Sequence, residues 1–145
     1  MRILIVEDDP TSRMVLEKYL SRIGEIRCAA DGEEGLAAVS EAFLENRPFD
    51  LICLDIMMPK FDGQAVLRQV REMESRKGIS EGNGAKIIMT TALSDKSNLM
   101  EALPRCDAYL TKPIDLAKLM FYIQKFGLLD KHAESAKQGE VKPDK

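Results

Sequence analysis

Apolar positions along the chain fall into two alternating rhythms. Arg2-Ile3-Leu4-Ile5-Val6, Leu51-Ile52-Cys53-Leu54-Asp55, Lys86-Ile87-Ile88-Met89-Thr90 and Ala108-Tyr109-Leu110-Thr111 are short, nearly continuous apolar runs, and Glu25 to Ala29 is a weaker fifth. Their length and β-branched content predict strands, the most apolar of them buried on both faces. Between them apolar residues recur at helical spacing: Val15, Leu16, Tyr19, Leu20 and Ile23; Leu36, Val39 and Phe43; Val66, Leu67, Val70 and Met73; Leu116, Leu119, Met120, Ile123 and Phe126. Punctuation agrees with this division. Pro10 opens the first helix and Gly24 closes it. Asp31 with Glu34 makes a capping box for the second, which runs to about Asn46, and Asp62-Gly63 starts the third. Ser94 caps a fourth helix that Pro104 ends early. Strand and helix alternate five times, which predicts an α/β fold: a doubly wound, five-stranded parallel sheet with right-handed crossovers and helices on both faces. Ser75 to Ala85, with Gly78, Gly82 and Gly84, reads as a surface loop. The single domain extends over residues 1–129. Residues 130–145 carry mixed charge without apolar period and read as a polar, disordered tail.

Composition narrows the function. A net charge of -3 gives no reason to expect direct binding to nucleic acid or to an anionic membrane. No apolar run is long enough to span a bilayer, and the N-terminus enters a strand pattern without the layout of a signal peptide. Cys28, Cys53 and Cys106 lack metal or redox spacing and read as buried free thiols of a cytoplasmic protein. The only histidine, His132, lies in the polar tail, which removes histidine-based acid–base catalysis and histidine-rich metal sites.

Parallel strands deliver all their carboxyl ends to one edge, where open α/β sheets place their ligands. Glu7 and Asp8, Asp55, Thr91 and Lys112 converge on that edge. Each has a plain structural meaning alone. Asp9, just before Pro10, is a helix cap, Glu7 a partner for a helix dipole, Thr91 a turn hydroxyl and Lys112 a surface cation. Together they mean more. Crowded carboxylates repel unless a cation sits among them. Oxygen donors without Cys or His favour a hard cation, and Mg2+ suits such a site. A neighbouring lysine would orient an anionic group, so the set suits a phosphoryl group received on a carboxylate.

Val6-Glu7-Asp8, Leu54-Asp55-Ile56-Met57-Met58-Pro59 with Asp62-Gly63, Thr91-Ala92 and Tyr109-Leu110-Thr111-Lys112-Pro113 resemble the receiver domain of two-component response regulators, above all its stand-alone CheY-like members. The resemblance runs from Met1 to about Leu129. It implies the flavodoxin-like strand order 2-1-3-4-5. It also implies that Asp55 is the phosphoacceptor and that Asp8 ligates Mg2+ together with Asp55 and the Met57 backbone carbonyl, with Glu7 acting through water. Thr91 and Lys112 then hold the phosphoryl oxygens, Tyr109 switches rotamer with Thr91, and the bond before Pro113 is cis. The donor is a phosphohistidine on a sensor histidine kinase or histidine phosphotransfer protein, so this chain needs none. The face made by the fourth helix, fifth strand and fifth helix, with Tyr109, Phe121 and Tyr122, would meet a downstream protein. The protein would be a monomer or a weak phosphorylation-dependent dimer. It would be a signalling phosphoacceptor in a phosphorelay, catalysing only its own phosphorylation and slow dephosphorylation.

Two departures from the family pattern stand out. Leu103-Pro104-Arg105-Cys106-Asp107 replaces a common glycine-containing turn before the fifth strand. Met57 and Leu93, two residues beyond Asp55 and Thr91, are apolar where family members often carry polar side chains that place a hydrolytic water, which implies slow loss of the phosphoryl group. No segment large enough for an output domain follows the last helix, so the chain reads as a single-domain regulator, a relay shuttle or a receiver cut from a longer parent. Two other readings compete. An Asp-nucleophile phosphatase needs a second acid two residues on, where Met57 stands. A pseudo-receiver working only as a binding module has no physical need for clustered acids.

Overall fold

A computed structural model of the chain describes residues 1–58, 62–92, 100 and 102–129. The helix expected from Ser94 falls outside these residues except for Met100 and Ala102, which are helical, and the polar tail, Pro59 and Leu93 fall outside them. Five strands, β1 (Arg2–Val6), β2 (Glu25–Ala29), β3 (Leu51–Asp55), β4 (Lys86–Thr91) and β5 (Ala108–Thr111), form one parallel sheet in the order β2-β1-β3-β4-β5. This is the flavodoxin-like order. The described helices are α1 (Pro10–Leu20), α2 (Gly32–Leu44), α3 (Gly63–Arg76) and α4 (Leu116–Lys125).

Side chains alternate along each strand, and the central strands feed two cores. Leu4 and Val6, Ile52 and Leu54, and Ile87 and Met89 face α2 and α3, meeting Val39, Ala42, Val66, Leu67 and Val70. Ile3 and Ile5, Leu51 and Cys53, and Ile88 face α1 and α4, meeting Leu16, Leu20, Leu119 and Ile123. Each fully buried Leu or Ile contributes about 1.5–3 kcal/mol, so these two layers dominate the stability of the fold.

The caps follow the residue chemistry. Asp9 accepts from Ser12 N at 3.0 Å, Asp31 from Glu34 N at 2.8 Å, Asp62 from Ala65 N at 2.9 Å and Asp115 from Ala117 N at 2.9 Å. Glu34 reaches back to Ala30 N rather than to the cap residue itself, closing the box one residue early. Several boundaries move. The second helix stops at Leu44, because Asn46 takes a left-handed φ of 57°. α3 runs to Arg76 rather than giving way near Ser75, and β4 extends to include Thr91. Val15 was expected on the inward stripe of α1 but is 50% exposed: Leu16 and Leu20 fill the space against the sheet, and Val15 lies about 100° round from Leu16.

The base of the sheet holds a polar network. Glu74 is buried and accepts from Ala85 N at 2.8 Å and from Arg71 at 2.8 Å. Arg71 also donates to Arg105 O, Ala85 O and Asp107, each at 2.9 Å. Asp107 accepts from Ile87 N at 2.8 Å. The glycine-rich loop after α3 is therefore tied down at its end.

All three cysteines are free, but only Cys53 is buried; Cys28 and Cys106 are half-buried, at the margins of the cores rather than within them. Burial pushes the Cys53 thiol up to about 12. Burial also raises Cys28 and Cys106, helped by the charges of Glu17 and Asp107 respectively. Only thiolates react readily. A thiol-reactive disulfide reagent at mildly alkaline pH should therefore label Cys28 and Cys106 slowly in the folded protein and Cys53 only after denaturant is added, as read by peptide mass.

Candidate functional site

β1, β3 and β5 end on the same edge of the sheet and carry Glu7, Asp55 and Lys112 to one point. Register does the placing. Val6 pairs with Leu54, Asp55 with Thr90, and Thr91 with Thr111, one residue before Lys112. Lys112 N donates to Thr91 O at 2.8 Å. The Lys112-Pro113 peptide is cis.

Asp55 is 4% exposed and Glu7 1% exposed, whereas Asp8 is open to solvent. Lys112 Nζ lies 3.1 Å from Asp55 Oδ2, 3.0 Å from Glu7 Oε1 and 3.3 Å from Glu7 Oε2. The hydrogen bond to Glu7 goes through Oε2, which also accepts from Asp9 N at 3.2 Å. Glu7 Oε1 is left buried with a charge contact but no hydrogen bond. Asp55 Oδ1 accepts from Met57 N at 3.2 Å.

One ammonium thus serves two buried carboxylates. Burial and the Glu7 charge push the Asp55 carboxyl up to about 7, against the pull of Lys112. Burial lowers the Lys112 ammonium, but the hydrogen bond to Glu7 and the charges of Asp55 and Glu7 outweigh it, and the net shift is upward. One oxygen from each of Glu7, Asp8 and Asp55 can be chosen so that all lie within 4.8 Å of one another. An all-oxygen cluster with excess negative charge and an unbonded buried oxygen fits a hard divalent cation such as Mg2+.

The other expected residues stand around this cluster rather than in it. Thr91 is buried at the end of β4, with its hydroxyl donating to Ala92 O at 3.1 Å. Met57, two residues past Asp55, is 58% exposed. Tyr109 lies on edge strand β5 and is 41% exposed. The sequence reading missed Arg13, whose guanidinium donates to Glu7 O at 2.8 Å and fixes the turn that carries the acids. Its place on the second turn of α1, next to an acidic pair, was the available signal.

The model of the response regulator receiver domain family matches residues 3–124. A probable transcriptional regulator ycf27 from Porphyridium aerugineum is 38% identical over 120 residues, covering 81% of this chain and 44% of that protein. The chain spans about half or less of the length of the curated relatives it matches. Among solved structures, the co-crystal structure of the Saccharomyces cerevisiae histidine phosphotransfer signaling protein Ypd1 and the receiver domain of its downstream response regulator Ssk1 gives a TM-score of 0.74 at 25% identity, covering 90% of each chain. The receiver domain of the histidine kinase CKI1 from Arabidopsis thaliana, complexed with Mg2+, gives 0.70 at 28% identity, covering 84% of this chain and 90% of that one.

The sign of the Asp55 shift gives a test in metal-free protein. The unfolded carboxyl titrates near 3.8 and the folded one near 7, so between those values the folded state holds a proton that the unfolded chain releases. Stability from this group is therefore lost as pH rises through that window. Asp55→Asn should raise the melting temperature at pH 7.5 in the presence of a chelator, by roughly several degrees. It should also flatten the fall in stability between pH 4 and pH 7. Thermal melts across pH check both.

Proposed function

Because the chain belongs to the response regulator receiver domain family, we propose that it accepts a phosphoryl group from a phosphohistidine onto Asp55 and relays the change to a protein partner. The observation that carries this reading is the buried Asp55 carboxylate, paired with Lys112 and set beside Glu7 and Asp8 where the strands end. Receiver domains are signalling proteins, and the chemistry proposed here serves signalling rather than turnover.

In this reading an Asp55 oxygen attacks phosphorus as the bond from phosphorus to the donor imidazole nitrogen breaks. Asp8, Asp55 and the Met57 carbonyl would hold Mg2+, with Glu7 reaching it through water. Mg2+ bound there would offset charge on the phosphoryl oxygens. Lys112 stays at the same edge and pairs with an oxygen of the new group. The Thr91 hydroxyl, bonded at rest to Ala92 O, turns to a phosphoryl oxygen. That movement clears space beside β4, and Tyr109 shifts from its exposed position on β5 into it. Tyr109 and Phe121, at 41% and 58% exposure, line one surface groove with Tyr122 and give the output side an apolar surface for a downstream protein.

The donor is a histidine kinase or a histidine phosphotransfer protein, in keeping with the Ypd1 complex of the similar receiver. Mg2+ is in keeping with the similar CKI1 receiver. Free thiols at Cys28, Cys53 and Cys106 suit a reducing, cytoplasmic compartment.

Incubation with acetyl phosphate and Mg2+ should add the mass of one phosphoryl group to the intact protein, and Asp55→Asn should abolish the adduct. A wild-type chain that takes no adduct would instead be a pseudo-receiver. The thioether of Met57, two residues past Asp55, offers no hydrogen bond to an attacking water, so decay of the adduct should be slow. Met57→Asn should shorten its lifetime several-fold when decay is followed by mass after removal of acetyl phosphate; a wild-type half-life of seconds would contradict the slow decay.

A further inference from the structure

The start of α3 presses on the peptide that carries Asp55. Gly63 N donates to Ile56 O at 2.9 Å, and Ile56 N donates to Thr90 O at 3.0 Å. The Asp55–Ile56 segment is therefore gripped from one side by β4 and from the other by the first residue of α3. The grip is close. A Cβ built on Gly63 would overlap the Asp55 carbonyl oxygen and would lie 2.8 Å from Ile56 Cα and 3.0 Å from the Asp55 carbonyl carbon. These are backbone atoms at the end of a central strand, so no rotamer change relieves the overlap. Either α3 backs away or the end of β3 moves. Asp62 holds the same turn in place by capping it through Ala65 N at 2.9 Å.

We propose that Gly63 is a positioning residue for Asp55: by having no side chain it lets α3 seat on the acceptor's own peptide and aim the carboxylate at Lys112. The proposal rests on the reading of Asp55 as phosphoacceptor. In transfer from acetyl phosphate, the bond from Asp55 oxygen to phosphorus forms as the bond from phosphorus to the acetate oxygen breaks, and acetate leaves with the electron pair. The reaction is sensitive to where the carboxylate oxygen sits. Relieving the overlap needs a shift near 1 Å, and a misplacement of that size costs on the order of 100-fold in rate.

Gly24 supplies a control away from the site. A Cβ there would lie 2.6 Å from Met1 O, a milder backbone overlap, but before β2 at the opposite edge of the sheet. In the full chain, Gly63→Ala should slow acetyl-phosphate labelling by about 10- to 100-fold in its limiting rate, with little change in the half-saturating donor concentration. Gly24→Ala should lose thermal stability yet label at the wild-type rate. Asp62→Ala, which loosens the same turn without adding a buried atom, should slow labelling to a smaller extent, and it carries the test if Gly63→Ala does not fold. Wild-type rates for Gly63→Ala or, if it does not fold, for Asp62→Ala would overturn the proposal. So would equal slowing in Gly24→Ala, which would trace the loss to stability. Absence of any adduct on the wild type would overturn the phosphoacceptor reading itself and this inference with it, before any variant is compared.

Discussion

Lys112 reaches across the carboxyl edge of the sheet and sets its ammonium 3.0 Å from Glu7 and 3.1 Å from Asp55. Two carboxylates with almost no exposure would not stay ionised side by side without it, because burial and mutual repulsion both oppose the second charge. Even with it, the Asp55 carboxyl remains well above its ordinary range. The resting site is thus short of one positive charge. That deficit makes the edge suited to a cation, and it is built from three strands that are far apart in sequence. Removing Lys112, the cation that the two carboxylates share, would leave buried charge uncompensated and cost about 3–5 kcal/mol, a large share of a small domain's stability. The rest of the fold must hold the three groups together against that tension.

Much of this arrangement was legible in the sequence, and the reasons are local. Strand and helix order follows from runs and periods, and the parallel topology places strand ends together whatever the helices contain. The caps at Asp9, Asp31 and Asp62 were readable because a cap bonds residues only three apart. What escaped were features set by distant partners. Arg71, Glu74 and Asp107 each look like ordinary surface charge in their own segments. Only the fold shows that they meet, with the guanidinium also closing on two backbone carbonyls. Val15 and the half-buried thiols of Cys28 and Cys106 were misplaced for a related reason. Helical period sets direction, but the neighbours set how deep a side chain goes.

α3 joins these two lessons. Its 14 residues span roughly 20 Å, enough to cross the sheet from edge to base. Its first residue touches the Asp55 peptide, and its third turn presents Arg71 to the carbonyl of Arg105 and the carboxylate of Asp107. The segment Leu103 to Asp107, which departs from the family pattern, is therefore not slack. It is anchored to the same helix that bears on Asp55, and it leads directly into β5, where Tyr109 and then Lys112 follow. A helix tied at both ends fixes the Asp55 peptide relative to the approach to β5. The main-chain ends of β3 and β5 are held, through Ile56 N on Thr90 O and Lys112 N on Thr91 O, so the freedom left at this edge lies in side chains such as the half-exposed ring of Tyr109.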